Sequence, residues 1–396
     1  MMPRDVHIVV NKHTPYVVQA FENIGKVTAL GTREITKETV RDADILIVRS
    51  ETKVNRDLLE GSRVKFVGTV TIGTDHVDEE YLAQKGITFV SAPGSNSNSV
   101  SEYITAALLE LACSKNISLR DKTIGIVGVG NVGSKVWRKA EALGLRVLLN
   151  DPPLTRQGSD YPLHSLDELM EADIVTLHVP LTQTGPDATY HLFDEKRIHS
   201  MKRGAMLFNT SRGAVIETRA LNNALQEKYL AAAVLDVWEG EPSINASLLD
   251  CVTLGSPHIA GYSLDGKVNA LRMNYDAVCR FLSLPVDWDR KTLLPDPAYP
   301  EIKIEEMHSS REHTLCEIVK NCYDIRLDDR LLRQLSALPK TEQGPFFQKL
   351  RAEYRIRREF FNSSVSLSSK THETMEIARV LQLLGFNVPT EGNRHD

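Results

Sequence analysis

Thr123-Ile124-Gly125-Ile126-Val127 runs directly into Gly128-Val129-Gly130-Asn131-Val132-Gly133. The apolar, β-branched run predicts a buried strand, and the residues after Gly133, up to Leu143, predict a helix. Glycines at this spacing let the backbone turn tightly and approach a ligand closely. The amides at the start of the following helix favour negative charge there. The GxGxxG pattern alone is a weak signal, but between a strand and a helix it has the setting that the pyrophosphate of a dinucleotide requires. The next predicted strand, 146–150, delivers Asp151, 18 residues after Gly133. A carboxylate there can accept hydrogen bonds from both ribose hydroxyls and would repel a 2′-phosphate, so the pattern favours NAD over NADP, with Arg156 the nearby cation. The competing reading is a glycine-rich packing turn.

Outward from this stretch the same alternation continues in both directions. Upstream, strands are expected at 6–10, 45–48, 65–70 and 87–90, with a helix near 16–25. Downstream, strands are expected at 173–179, 205–208, 231–237 and 252–254, with a helix at 166–171. Strands alternating with helices predict parallel sheets, and the count predicts two doubly wound, Rossmann-like α/β units. A long helix beginning near Ser99, with Ile104, Ala107, Leu108, Leu111 and Ala112 on one face, reads as a hinge between them. The helix at 265–282 would return to the first unit. Residues 284–300 contain Pro285, Pro295, Pro297 and Pro300 and read as a linker. Helices at 312–323, 346–358 and 373–384, with an alternating strand at 365–368, predict a small C-terminal α+β domain. The expected division is residues 1–98 with 259–285, residues 99–258, a linker at 286–300, and residues 301–396.

The chain's 396 residues are too many for one ordinary core, which fits this division. A net charge of -5 provides no overall attraction for nucleic acid. The five cysteines show no metal-binding spacing, so reduced thiols and no metal are expected. The N-terminus lacks a leader pattern and no run is long enough for a membrane span, which together lead us to expect a cytoplasmic protein.

Later strand ends collect polar residues: Arg212 in Asn209-Thr210-Ser211-Arg212-Gly213, Asp236 and Glu241 in Asp236-Val237-Trp238-Glu239-Gly240-Glu241-Pro242, and His258 in Ser256-Pro257-His258-Ile259-Ala260-Gly261. In a doubly wound sheet the carboxyl ends of the strands face the ligand, so these side chains are expected to converge. Oxidising a hydroxy acid needs a base for the hydroxyl proton while hydride leaves carbon, and His258 suits that exchange. Glu241 could orient the imidazole, and Arg212 could hold a substrate carboxylate in a bidentate fork. Each also has a bland reading: a surface histidine, a solvated glutamate, an arginine at a helix end.

Taken together in this order, the glycine-rich turn, Asn-Thr-Ser-Arg-Gly, Asp-Val-Trp-Glu-Gly-Glu-Pro and Pro-His-Ile-Ala-Gly resemble the D-isomer-specific 2-hydroxyacid dehydrogenase family. The resemblance implies a substrate-binding flavodoxin-like domain and an NAD-binding Rossmann domain. It also implies that Arg212, Glu241 and His258 are the active-site residues, with His258 exchanging the proton. Val48-Arg49-Ser50, Thr52-Lys53-Val54, the run Lys65 to His76 and Pro257-His258-Ile259-Ala260-Gly261-Tyr262 resemble one branch of the family. That branch oxidises 4-phospho-D-erythronate on a route to pyridoxal 5′-phosphate. By the same resemblance, Ser50, Thr71 and Tyr262 contact substrate. Gly128, Gly130, Asn131, Val132, Gly133, Asp151, Val179, Thr210, Ser211, Asp236 and Gly261 line NAD. Tyr323-Asp324-Ile325-Arg326 and Leu384-Gly385-Phe386-Asn387 resemble that branch's dimerisation domain, which implies a homodimer. The chain departs from the family at Asn11-Lys12-His13, where an acidic run is usual, and in the polar loop 94–99.

A phosphorylated hydroxy acid is anionic at both ends, so a second cationic group besides Arg212 is expected. Arg49, Lys53, or Arg355 with Arg357 and Arg358 could supply it. For the last three the competing reading is a solvated basic helix face. Two further readings remain: a sibling dehydrogenase acting on 3-phosphoglycerate or glycerate, and an NAD(H)-sensing binding protein.

Overall fold

A computed structural model describes residues 6–289, 293–308, 310–368 and 371–389. The chain divides into two compact units, Met1–Asn96 with Ser263–Pro295 and Ser97–Tyr262 with Asp296–Asp396.

The first unit is built on five parallel strands: β1 His7–Asn11, β2 Lys26–Leu30, β3 Ile45–Val48, β4 Phe66–Thr69 and β5 Thr88–Val90, in the order β2-β1-β3-β4-β5. β3 and β4 are buried throughout, as continuous apolar runs in a sheet covered on both faces must be. β2 is absent from the sequence reading because it is a half-exposed edge strand whose Lys26-Val27-Thr28-Ala29-Leu30 lacks a clean apolar pattern. The helix expected at 16–25 is confined to Val17–Phe21. The Leu264–Phe281 helix packs here, with Val268, Leu271, Tyr275 and Val278 in one core with Ile8, Val10, Phe21 and Phe66. Trp288 closes the same core, and the Tyr275 hydroxyl donates to Asp287 at 2.6 Å.

The second unit carries six parallel strands: β6 Thr123–Val127, β7 Arg146–Asn150, β8 Ile174–Leu177, β9 Met206–Asn209, β10 Ala232–Leu235 and β11 Leu254–Gly255. Their order is β11-β10-β9-β8-β6-β7, so the chain reverses direction across the sheet beside β6. This crevice at the carboxyl ends is where doubly wound sheets bind ligands. The Ser97–Lys115 helix is buried on nearly every side, apolar from Ile104 to Ala112 apart from Thr105 and Glu110, and with Ser99, Ser101 and Glu102 buried in its first half.

The C-terminal residues of this unit contribute a parallel pair, β12 Glu301–Ile304 and β13 Ser364–Leu367, surrounded by helices. The Arg311–Cys322 helix packs on the Ser97–Lys115 helix, and Phe360 stacks on Phe386 at 4.6 Å. The helix expected at 346–358 is instead Lys340–Ala352, and the chain beyond it is irregular to Glu359. No helix among the described residues is long and apolar enough to cross a membrane.

Candidate active site

β6 ends at Val127, and the turn that follows is shaped by close packing. Gly128 adopts φ +87°, and a Cβ on it would lie 2.5 Å from the His178 carbonyl oxygen and 3.0 Å from Val179 Cγ1. A Cβ on Gly133 would lie 1.9 Å from the Gly128 carbonyl oxygen, so only glycine lets the helix Gly133–Ala142 start this close to the strand. A Cβ on Gly130 would meet nothing within 4 Å. The middle of the turn, with the exposed Asn131 and half-buried Val132, therefore borders open space at a helix N-terminus. That is the cradle a pyrophosphate needs, and NAD fits these residues.

Asp151 stands at the end of β7 as expected. Its carboxylate accepts the Val129 amide at 2.9 Å and the Leu154 amide at 3.1 Å, bracing the glycine turn and capping the helix Pro152–Arg156. Thr210 and His178 lie at the ends of β9 and β8, with Thr210 Oγ1 3.4 Å from His178 Nδ1 and Thr176 Oγ1 2.9 Å from Nε2. Burial pushes the His178 pKa down to about 3, so the ring is neutral next to the glycine turn. Sequence reasoning passed over His178. The signal for it was its place directly after β8, next to Val179, which the resemblance had named.

Ser211 is buried, with its amide and hydroxyl both donated to Asn209 Oδ1, and Asn209 Nδ2 returns to the Arg212 carbonyl at 2.9 Å. This local knot sets the backbone from which Arg212 projects, and Arg212 Nη1 donates to the Ser211 carbonyl at 2.9 Å. A Cβ on Gly213 would lie 2.0 Å from the Trp238 carbonyl carbon, so the Arg212 loop lies directly against the chain leading to Glu241.

Of the three acids that follow β10, Glu239 bonds His191 and the Thr218 amide, while Asp236 and Glu241 meet the His258 loop in different environments. Asp236 is 1% exposed and accepts from Ser256 Oγ at 2.6 Å, the Ile259 amide at 2.7 Å and the Ala260 amide at 2.9 Å. Burial raises its pKa, against the pull of His258 and these donors. Its carboxylate thus clasps the loop carrying His258, and the resemblance alone suggests any contact with NAD. Glu241 is half-buried and hydrogen-bonds His258 Nδ1 through Oε1, while Oε2 accepts the Trp238 amide at 3.2 Å. Burial alone would raise its pKa, but the bond to His258, the His258 charge, the Trp238 amide and the Arg351 charge together lower it. His258 itself sits at φ +58°, a conformation uncommon outside glycine, held by its amide on the Asp236 carbonyl at 2.7 Å.

The C-terminal residues reinforce this loop. Asp329 Oδ1 accepts the Gly255 amide at 2.8 Å, and Arg333 caps the helix Ala246–Cys251 through the Leu249 and Val252 carbonyls. Arg357 is 3% exposed, donates to the Ala260 carbonyl at 2.6 Å and lies 4.3 Å over the Tyr323 ring. Arg355 is ion-paired with Asp328, and Arg358 donates to Asn362 at 2.6 Å. Arg355 and Arg357 follow the Lys340–Ala352 helix and are locked into internal contacts, which corrects the reading of 355–358 as a solvated helix face. Tyr262, directly after Gly261, receives a hydrogen bond from Arg351 Nη2 at 3.0 Å, a contact the sequence did not signal.

The structure therefore brings Glu241 and His258 into contact and sets Arg212, the glycine turn, Asp151, Val179, Thr210 and Ser211 in the same unit. Ser50 and Thr71 belong to the first unit. Ser50 is exposed just past β3, and Thr71 Oγ1 lies past β4, 2.7 Å from Thr69 Oγ1. Arg49 also lies there, bonded to the His13 carbonyl and paired with Glu51, and Lys53 is exposed. Among the described residues no cluster of His, Cys, Asp or Glu is arranged to hold a metal ion.

A doubly wound sheet with a glycine-rich turn at its switch point, and a carboxylate-paired histidine among its strand ends, defines an NAD-dependent dehydrogenase. Comparison with known proteins agrees: a family model described as D-isomer specific 2-hydroxyacid dehydrogenase, NAD binding domain, matches residues 106–260. A second, described as a domain of unknown function, matches residues 293–385. Proteins named erythronate-4-phosphate dehydrogenase from Shigella boydii and Cronobacter sakazakii are each 44% identical to this chain, covering 96% of it and 98% of their own length. The chain belongs to the erythronate-4-phosphate dehydrogenase family, within the D-isomer specific 2-hydroxyacid dehydrogenases. Among solved structures, D-lactate dehydrogenase from Aquifex aeolicus, complexed with NAD and lactic acid, is 27% identical with a TM-score of 0.56, covering 70% of this chain and 95% of that one. A cofactor-bound 3-phosphoglycerate dehydrogenase of Entamoeba histolytica shares the fold, with a TM-score of 0.60 at 24% identity, over 70% of this chain and 96% of that one.

Proposed function

We propose that this chain oxidises 4-phospho-D-erythronate at C2 to (R)-3-hydroxy-2-oxo-4-phosphooxybutanoate, a step on a route to pyridoxal 5′-phosphate. The observation that carries the chemistry is the Glu241–His258 hydrogen bond on a loop clasped by Asp236. NAD, when bound, supplies the hydride acceptor. His258 takes the C2 hydroxyl proton as the carbonyl forms, and Glu241 orients its ring through Nδ1, leaving Nε2 for the substrate. Arg212 holds the carboxylate and the C2 oxygen, concentrating positive charge where the oxygen becomes electron-rich. Asp151 accepts from the ribose hydroxyls, which favours NAD over NADP. Ser50, Thr71 and Tyr262 contact the substrate.

The substrate assignment is supported by the named relatives, whose 44% identity extends over 96% of the chain. It is tested by NADH formation with 4-phospho-D-erythronate, 3-phospho-D-glycerate and D-glycerate. Preference for the four-carbon phosphate is expected. Preference for 3-phospho-D-glycerate would move the chain to a sibling activity, and tight NADH binding without turnover of any acid would make it a sensor.

The working form is a homodimer assembled through the C-terminal residues. Ile356, Phe361, Met375 and Leu383 there are 69%, 53%, 67% and 56% exposed, an apolar complement that a partner surface would bury. Its compartment is the cytoplasm, where free thiols such as these five cysteines persist.

A further inference from the structure

The substrate's phosphate needs a cationic partner at a place set by the reacting carbon. In 4-phospho-D-erythronate only two carbons and an oxygen separate C2 from phosphorus, so a phosphate group stays close to the residue that exchanges the C2 proton. If Arg212 takes the carboxylate, the phosphate needs a separate cationic partner near His258, and Tyr262 stands four residues after His258 on the same loop.

Four arginines, Arg351, Arg355, Arg357 and Arg358, lie close together in the C-terminal part of the second unit, and the structure separates them, with Arg357 and Arg351 touching the loop at Ala260 and Tyr262. Arg355 is bound to the buried carboxylate of Asp328. Arg357 is buried, with Nη2 on the Ala260 carbonyl and its plane over Tyr323. Arg358 reaches Asn362. Arg351 differs from these three. It lies in the last turn of the Lys340–Ala352 helix, is half-buried, and directs Nη2 to the Tyr262 hydroxyl at 3.0 Å, with its guanidinium 5.7 Å from the centre of the Tyr262 ring. Tyr262 is held in turn by an edge-on contact with Tyr354 at 6.0 Å. The Arg351 charge also reaches the catalytic pair, since it is among the charges that lower the Glu241 pKa.

We infer that Arg351 is the specificity residue for the substrate's phosphate, binding it jointly with the Tyr262 hydroxyl and placing C2 at His258. The inference rests on the proposed reading of the substrate as 4-phospho-D-erythronate. A planar guanidinium offers two parallel donors to phosphate oxygens, and a phenol beside it adds a third. The hydrogen bond between Arg351 and Tyr262 keeps both groups in place before substrate arrives, which lowers the ordering cost of binding. This assigns the C-terminal extension a direct part in substrate selection.

The test compares the full-length wild type with Arg351→Ala, Arg351→Gln and Arg351→Lys, using saturating NAD and either 4-phospho-D-erythronate or unphosphorylated D-erythronate. NADH binding and melting temperature serve as folding controls, and Arg351→Gln keeps a donor for Tyr262 if the alanine variant fails to fold. The expected result is a fall of about 100-fold in kcat/KM for the phosphorylated acid, mainly through KM, with a loss on D-erythronate at least tenfold smaller and partial recovery in Arg351→Lys. A fall of that size corresponds to about 2.7 kcal/mol. Inorganic phosphate should inhibit the wild type competitively against 4-phospho-D-erythronate and inhibit the glutamine variant at least tenfold more weakly. Equal losses on both acids, with a displaced pH profile, would overturn the inference and make Arg351 a positioning residue acting through Tyr262 and Glu241. Unchanged kinetics would also overturn it. A wild type that does not prefer the phosphorylated acid would instead bring down the substrate reading itself, and this inference with it.

Discussion

β3 and β4 of the first unit run out into the hydroxyls of Ser50 and Thr71, and the cation between β3 and Ser50, Arg49, is bonded to the His13 carbonyl and paired with Glu51. β7, β9, β10 and β11 of the second run out into Asp151, Arg212, Asp236 with Glu241, and His258. Both sheets are parallel, both reverse strand order beside an inner strand, and both expose loops at their carboxyl ends. The shared plan therefore determines where ligands go and leaves the chemistry to what the loops carry. The first unit's loops offer hydrogen bonds that can orient a substrate. The second unit's loops combine a helix N-terminus, a cation and a carboxylate-paired imidazole, which together can move a proton and a hydride.

The contrast is tested most strongly at His258. Its backbone is left-handed, so asparagine is the replacement that tolerates φ +58° while removing the imidazole. His258→Asn should lower kcat by about 1000-fold, in the range general acid–base catalysis contributes, with NADH binding retained. A loss of only a few fold in stopped-flow hydride transfer would mean that the proton leaves by another group.

Next in size is the glycine turn. Gly130→Ala adds a methyl group toward open space, so the melting temperature should hold while NADH binding, followed by fluorescence titration, weakens by at least about tenfold. Unchanged NADH affinity would place the pyrophosphate elsewhere. In the first unit, Ser50→Ala should raise KM for the acid by about tenfold and leave kcat nearly intact, the cost of one hydrogen bond to an anionic substrate. A loss in kcat comparable with that of His258→Asn would break the division of labour between the sheets.

The smallest effect concerns stability. Glu102 is buried beside Glu359 and accepts the Phe360 amide at 2.9 Å, and burial first, then the Glu359 charge, raises its pKa from 4.5 to about 8. Between those values the folded chain keeps a proton that the unfolded chain releases. This contribution is complete below the unfolded pKa and is lost as pH rises through about 8. Glu102→Gln, which cannot ionise, should therefore melt with a flatter pH dependence from pH 5 to 8 and gain on the wild type toward the alkaline end, as calorimetry would show. Parallel melting curves for the two proteins would mean that Glu102 is ionised in the folded state.

The parts of this molecule that could be read directly were those encoded locally. A continuous apolar run such as Ile45-Leu46-Ile47-Val48 states its own burial, and the glycines of 128–133 state a turn, whose close contacts admit no side chain at Gly128 and Gly133. β2 was missed because a half-exposed edge strand has little apolar pattern to show. The Lys340–Ala352 helix was displaced in the reading because Gly344 and Pro345 in its first half weaken the helical signal there. The basic residues from Arg351 to Arg358 look alike in sequence, yet one is sealed under Ala260, one is paired with Asp328 and one reaches Tyr262.

By itself the sequence determined two doubly wound sheets, the cofactor turn and its carboxylate, and the family to which the strand-end motifs belong, since each is written in residues close together along the chain. The tertiary structure decided which acid clasps the His258 loop and which faces the imidazole, why a buried histidine stands behind the glycine turn, and which arginine meets Tyr262. Those outcomes depend on burial and on partners as far as 89 residues apart, as between Arg351 and Tyr262, and the separation of charges in a fold is not a local property of the chain.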